Sequence, residues 1–216
     1  MHLLSLNIGR PRENPWKGLA ATGIDKEPVH HSVAVTAPGP KGTGAVGLAG
    51  DRAHDTKHHG GTDQALYAYA REDLDSWQEL LGRRLHNGSS FGENLTTVGV
   101  DVNGALIGER WRIGTEVLLE VTCPRIPCAT FQGWLDEPGW LKRFIEARQP
   151  GTYLRVINEG SIRAGDDIAV VSRPPHDVTV ALTFRAFTTE PDLLPRLAVA
   201  QALPEEAKAQ LRNRIR

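Results

Sequence analysis

Hydrophobic and polar positions alternate at the start of the chain. Leu4, Leu6 and Ile8 are separated by Ser5 and Asn7, the period-two pattern of a strand over residues 2–8. Residues 9–28 break that pattern with glycine, proline, asparagine and Trp16, and read as a loop folded over the body. A second short strand is expected over 31–36 and glycine-rich turns over 39–50. The stretch DRAHDTKHHGGTD, residues 51–63, has no period and reads as a long polar loop; 65–70 is a strand or short helix. Leu74, Trp77, Leu80 and Leu81 fall on one stripe, so 72–81 is a helix. Residues 91–98 form a strand or turn, and 107–113 with 116–121 a hairpin around Gly114-Thr115. Trp140, Phe144 and Ala147 share one face of a helix over 134–146, ended by Gln149-Pro150-Gly151. Residues 152–157 are a strand, 158–160 a turn and 168–171 the last strand.

Many short strands joined by glycine turns point to a barrel or a strongly bent sheet. That body runs to residue 173, and Arg173-Pro174-Pro175 marks a boundary. Beyond it the texture turns helical: Leu193, Leu194, Leu197 and Ala198 sit at helical spacing. Pro204-Glu205-Glu206 starts a helix on which Ala207, Leu211 and Ile215 follow at four-residue steps. Val178, Val180, Leu182 and Phe184 alternate like a strand, whereas 180, 184 and 187 fit a helix; propensity favours the strand.

Composition narrows the function classes. The chain has 216 residues and a net charge of −1, so no global charge draws it to nucleic acid or to a membrane surface. The opening apolar run is too short for a secretory signal, and no run reaches the length of a membrane span. Two cysteines make no disulfide scaffold, which fits a reducing, cytoplasmic setting and argues against a Cys123–Cys128 bridge.

Several groups carry candidate chemistry. His54, His58 and His59 with Asp51 and Asp55 form a metal nest, a set of polar loop residues, or, with Gly60 and Gly61, a backbone anion site. Asn94, within Phe91-Gly92-Glu93-Asn94-Leu95, hydrogen-bonds a heterocycle or makes a local Asx turn. Arg10, Lys26, Arg52 and Arg125 stand beside glycine or proline, each suited to a phosphate or to a solvated surface. Cys128 follows Pro127 and lies near Arg125 in VTCPRIPC. It is a small core filler, a nucleophile or a soft metal ligand.

The ordered set Gly47-Leu48-Ala49-Gly50-Asp51-Arg52, His59-Gly60-Gly61-Thr62-Asp63-Gln64-Ala65, Phe91-Gly92-Glu93-Asn94-Leu95, Ile107-Gly108-Glu109-Arg110, Pro124-Arg125-Ile126-Pro127-Cys128 and Gly165-Asp166 resembles a MOSC domain. Asn7-Ile8-Gly9-Arg10-Pro11 and Thr22-Gly23-Ile24-Asp25-Lys26 extend the resemblance to the YiiM type. It implies a mainly β fold with α: a barrel-like MOSC body over 1–173 and a three-helix domain over 174–216, with 178–184 helical rather than extended.

It also implies a molybdenum cofactor (molybdopterin) held through Cys128, with Arg10, Lys26, Arg52, His59, Gly60, Gly61, Asn94 and Arg125 around it and Asp63 as a proton relay. The implied activity is an oxidoreductase that converts small N-hydroxylated compounds, such as hydroxylaminopurines, to amines. Electrons come from a separate reductase, because the chain lacks an iron–sulfur cysteine set and a flavin fingerprint. Pyridoxal phosphate binding is a further family-level expectation. No nucleic-acid or membrane partner is implied, and the protein is a monomer or homodimer. Rival readings are a persulfide carrier on Cys128, a carrier of the cofactor, and a zinc hydrolase on the histidine loop.

Overall fold

The computed structural model describes residues 1–215; the Ile215 side chain, and with it the spacing expected there, lies outside the described residues. Ten strands and five α-helices follow in order. They are β1 (His2–Asn14), β2 (Leu19–Val29), β3 (Val33–Val35), β4 (Leu66–Ala70), α1 (Arg71–Leu81), β5 (Leu95–Val98), β6 (Arg110–Ile113), β7 (Val117–Pro124), α2 (Ala129–Leu135), α3 (Trp140–Ala147), β8 (Thr152–Asn158), β9 (Gly160–Ile162), β10 (Ile168–Ser172), α4 (Val180–Thr188) and α5 (Glu205–Ile215). Single 3-10 segments cover Thr62–Gln64 and Pro191–Val199.

Eight strands form one sheet in the order β10-β6-β7-β8-β4-β5-β1-β2, and β3 pairs with β9. The sheet curls on itself. Leu3 N–H donates to the Asp166 carbonyl (2.9 Å), and Gly165 and Ile168 donate to the carbonyls of Leu3 and Met1 (2.7 and 3.0 Å). The start of β1 therefore meets the turn that leads into β10. The sheet-dominated class with added helices agrees with the sequence pattern.

Three sequence expectations change. Residues 9–28 are not a loop but the far half of a long β1–β2 hairpin, in which Gly9 lies opposite Lys26 and Asn14 opposite Leu19. Cross-strand pairing overrides the proline and glycine content. On β1 the core residues are Leu3 and Leu6, while Leu4 is exposed, because a bulge between Leu3 and Ser5 shifts the face. The helix expected over 134–146 is two helices, α2 and α3, parted where Asp136 and Gly139 take left-handed conformations (φ 48° and 65°). Smaller differences are the exposure of Leu80 on α1 and the short strand β9, which the pattern does not mark.

From Val180 onward come α4, the 3-10 segment Pro191–Val199 and α5; Val178 and Thr179, expected to be helical, precede the helix. The Thr179 hydroxyl accepts from Leu182 N–H (3.0 Å) and starts α4. Val180, Leu182, Thr183, Phe184 and Ala186 are all buried, so neither period is visible in the sequence. Val180, Leu194, Leu197, Leu203 and Leu211 join the apolar cluster of the strands.

A second, aromatic cluster supports the other face. Phe91 is fully buried at its centre, 4.9 Å from the Tyr69 ring, 5.1 Å from Phe131 and 5.5 Å from Trp140. Replacing Phe91 by Ala removes the ring on which β4, α2 and α3 meet. The expected cost is about 3–5 kcal/mol in denaturant unfolding; a cost under about 1 kcal/mol would mean that the cluster is not a structural hub.

Candidate functional site

The site grows from the end of β7. After Pro124 the chain leaves the sheet, and Pro127 restricts Ile126 to extended geometry. Cys128 is extended (φ −132°, ψ 171°) immediately before α2, and its carbonyl accepts from Gln132 N–H (3.0 Å). Its half-buried thiol lines a cavity of about 120 Å3. The other walls come from the hairpin (Asn14, Thr22, Gly23, Ile24), the histidine loop (Asp51–Asp55, His59, Gly60), and Gln64, Tyr67, Asn94, Arg125 and Tyr153.

Arg125 is the unusual member. It is 6% exposed, and among the described residues it makes no ion pair with a carboxylate. Its guanidinium donates to the Phe91 carbonyl and lies 3.9 Å from the Phe131 ring centre and 5.0 Å from that of Tyr67. Such contacts stabilise a desolvated cation by about 1–2 kcal/mol each without neutralising it. A net positive charge therefore remains at the cavity wall.

Two neutral groups face that charge. Burial first, and the Arg125 charge second, push His59 down to about 4, so its imidazole is neutral near pH 7. Its Nδ1 lies 3.3 Å from the Tyr153 hydroxyl, and burial pushes that phenol upward. The chain has three tyrosines. The hydroxyls of Tyr67 and Tyr69 donate to the carbonyls of Pro150 and Gln149 (2.7 and 2.9 Å), which leaves Tyr153 alone with its hydroxyl committed at the cavity.

The structure brings Cys128, Arg125, His59, Gly60, Arg52, Lys26 and Asn94 to one cavity. Their availability differs. Lys26 is buried and paired with Asp51 (2.7 Å), whose carboxylate also accepts from Gly9 N–H (2.9 Å) and Asn94 Nδ2 (2.6 Å). Asn94 further donates to the Asn7 carbonyl (3.3 Å) and accepts from Tyr67 N–H (3.1 Å). Its amide thus joins β1, β4 and the histidine loop rather than standing free for a heterocycle. Arg52 is exposed at the cavity and has no ion-pair partner among the described residues.

Three expected residues lie elsewhere. Arg10 is on the exposed hairpin, paired with Glu27. Gly61 turns toward Lys41; a Cβ there would lie 2.6 Å from Lys41 N. Asp63 faces a separate cleft beside Glu205 and Glu206, and binds Arg155 (2.6 Å), which also binds Glu120 (2.9 Å). Asp63 braces the loop from behind.

Among the described residues no three His, Cys, Asp or Glu side chains gather in a metal-binding group, so the histidine loop offers no zinc site. Burial raises Asp55, but hydrogen bonds from Lys17 and His58 outweigh it and bring the carboxyl down to about 2. Cys123, on β7, has its thiol pushed up to about 12 by burial, and it does not line the cavity.

Sequence reasoning missed Tyr153 and Gln64. Tyr153 sits in a strand that reads as core. Gln64 lines the cavity with its Oε1 buried and without a hydrogen-bond partner. Its only signal was its place in the motif around His59.

The chain is similar to several known proteins. A family model described as "MOSC domain" matches residues 55–169. The uncharacterized protein YflK of Bacillus subtilis is 30% identical, with 85% of this chain and 79% of that protein covered. A protein of Gibberella moniliformis named "Reductase" is 30% identical over 98% of this chain, which spans 37% of its length. The crystal structure of YiiM from Geobacillus stearothermophilus superposes with a TM-score of 0.80 at 28% identity, covering 100% and 99% of the two chains.

Two outcomes are expected from the site's electrostatics. Asp51→Ala leaves Lys26 buried without a partner and costs about 3–5 kcal/mol of unfolding free energy. Adding Lys26→Met recovers the part due to the unpaired charge, while the Gly9 and Asn94 donors stay unpaired, and no recovery would contradict the pairing. The unfolded chain protonates His59 near its ordinary value of about 6.5, whereas the folded protein resists until about 4. Stability from this group is present above pH 6.5 and lost between 6.5 and 4, by up to about 3 kcal/mol. Unfolding curves across that window should be flatter for His59→Gln; parallel curves would contradict an imidazole held neutral by the fold.

Proposed function

Because the chain belongs to the MOSC domain family, we propose that it is a molybdenum-cofactor-dependent reductase of small N-hydroxylated compounds, with the Cys128 thiolate as the protein ligand to the metal. One observation carries the reading. A cysteine held by proline-restricted backbone shares a cavity with a buried guanidinium that has no carboxylate in ion-pair contact among the described residues.

The residues present fit such a group. Thiolate is a soft donor suited to molybdenum. Arg125 and Arg52 retain positive charge for a phosphate. The unpartnered Gln64 Oε1 is a ready acceptor for a ring N–H. Lys26, Asp51 and Asn94 frame the wall rather than hold the guest. When bound, the cofactor supplies two-electron redox chemistry.

The net reaction turns R–NH–OH, two electrons and two protons into R–NH2 and water. The N–O bond breaks, one proton joins the oxygen and one the nitrogen. The electrons derive from a separate reductase. The Tyr153 hydroxyl and the neutral His59 ring are the proton-exchanging groups at the cavity wall. The Tyr67 and Tyr153 rings pack against each other, 5.2 Å between centroids, and add apolar wall to the cavity. The name of the fungal relative, a reductase, supports the redox reading.

The test is protein made in a host that synthesises the cofactor, assayed for molybdenum, for pterin, and for reduction of an N-hydroxylated base with an artificial electron donor. Wild type should carry metal and turn over; Cys128→Ala should lose the metal and at least about 100-fold in rate. Equal metal in both removes Cys128 from the metal. Full metal without turnover favours a cofactor carrier.

A further inference from the structure

The β1–β2 hairpin outgrows the sheet. β1 pairs with β5 only from His2 to Leu6, and beyond Gly9 the ribbon has two strands and no third among the described residues. A two-stranded ribbon is marginal by itself. Register shifts at Arg10/Arg12 and Glu13/Asn14 bend it.

The tip is tied down by side chains on two different walls of the cavity. On the α2 wall, Asn14 and Thr130 exchange hydrogen bonds (3.1 and 3.3 Å). Beside them the Trp16 ring lies over Gly133, where a Cβ would come within 2.2 Å, and meets Trp134 edge-on at 6.4 Å. On the histidine-loop wall, Lys17 binds Asp55 at 2.5 Å. Asn14, Thr130 and Asp55 themselves line the cavity, so the anchors of the tip sit on two sides of it. Gly133 is a glycine with a purpose here: any side chain would displace the tryptophan.

Size gives the tip a role. The cavity of about 120 Å3 is well below the roughly 300–1,000 Å3 of sites that enclose a bound organic molecule. Trp16 belongs to neither apolar cluster, and it is 38% exposed even while docked. Segments held by few buried contacts open at low free energy.

We infer that the hairpin tip, Asn14–Lys17, is a latch: it lifts to admit a ligand of pterin size to the Cys128 cavity and docks again on α2 and Asp55 to shield the thiol from water. The size class of the guest rests on the function proposed above, whereas the latch itself does not.

The test therefore reads access to Cys128 without cofactor or turnover. In a Cys123→Ser background, the alkylation rate of Cys128 is measured with a bulky maleimide and with iodoacetamide. Trp16→Ala combined with Lys17→Ala should raise the maleimide rate about tenfold, as loss of the docked contacts shifts the opening equilibrium. The iodoacetamide rate should change far less, and Trp16→Phe should restore most of the shielding. An unchanged ratio of the two rates in the folded variant overturns the latch. Hydrogen exchange on the wild-type chain tests the same claim should the double variant not fold. Amides of residues 12–20 should exchange together and faster than those of 3–7; protection equal to that of 3–7 overturns it.

Discussion

A guanidinium buried without a carboxylate is the constraint on which this site depends. Removing a cation from water costs several kcal/mol even after relaxation. Arg125 offsets that cost with a hydrogen bond to the Phe91 carbonyl and with the faces of Phe131 and Tyr67. None of these carries negative charge. The positive potential remains, adds to burial in keeping His59 neutral, and stands beside Cys128 as an unmet demand for an anion.

The fold serves this arrangement by fixing its supports. Phe91 presents the carbonyl because its ring is locked among Tyr69, Phe131 and Trp140, so the aromatic cluster and the buried charge form one unit. Phe131 lies on α2 and Cys128 just before it, so the helix that stacks on Arg125 also positions the sulfur. From the opposite side, Asp51 gathers Gly9, Lys26 and Asn94 and pins the histidine loop to β1, to β2 and to the residue before β5. Cations are thus sorted by their partners: Lys26 is neutralised and structural, while Arg125 and Arg52 remain available.

The sequence made much of this legible, and the failures have physical causes. Pro127-Cys128, Arg125 and His59-Gly60 were readable because proline and glycine restrict or free the backbone locally, and their neighbours end up at one cavity. Lys26 and Asn94 were found as residues of the site but not in their roles, because a motif does not reveal a partner such as Asp51 from far along the chain. Arg10 and Asp63 look like their charged neighbours in sequence, yet hairpin register sends one outward and the Arg155 pair turns the other to the back. Tyr153 was hidden by β8, where alternation marks which face a side chain takes but not what stands opposite. The hairpin was missed for the same reason: its pairing is between strands and has no local period.

The central claim is that Cys128 is the sulfur through which the protein holds molybdenum. X-ray absorption at the molybdenum edge, on cofactor-loaded wild type and Cys128→Ser, addresses it most directly. The account predicts one sulfur neighbour beyond those the cofactor itself brings, present in the wild type and absent in the variant. Identical sulfur coordination in the two proteins would contradict it.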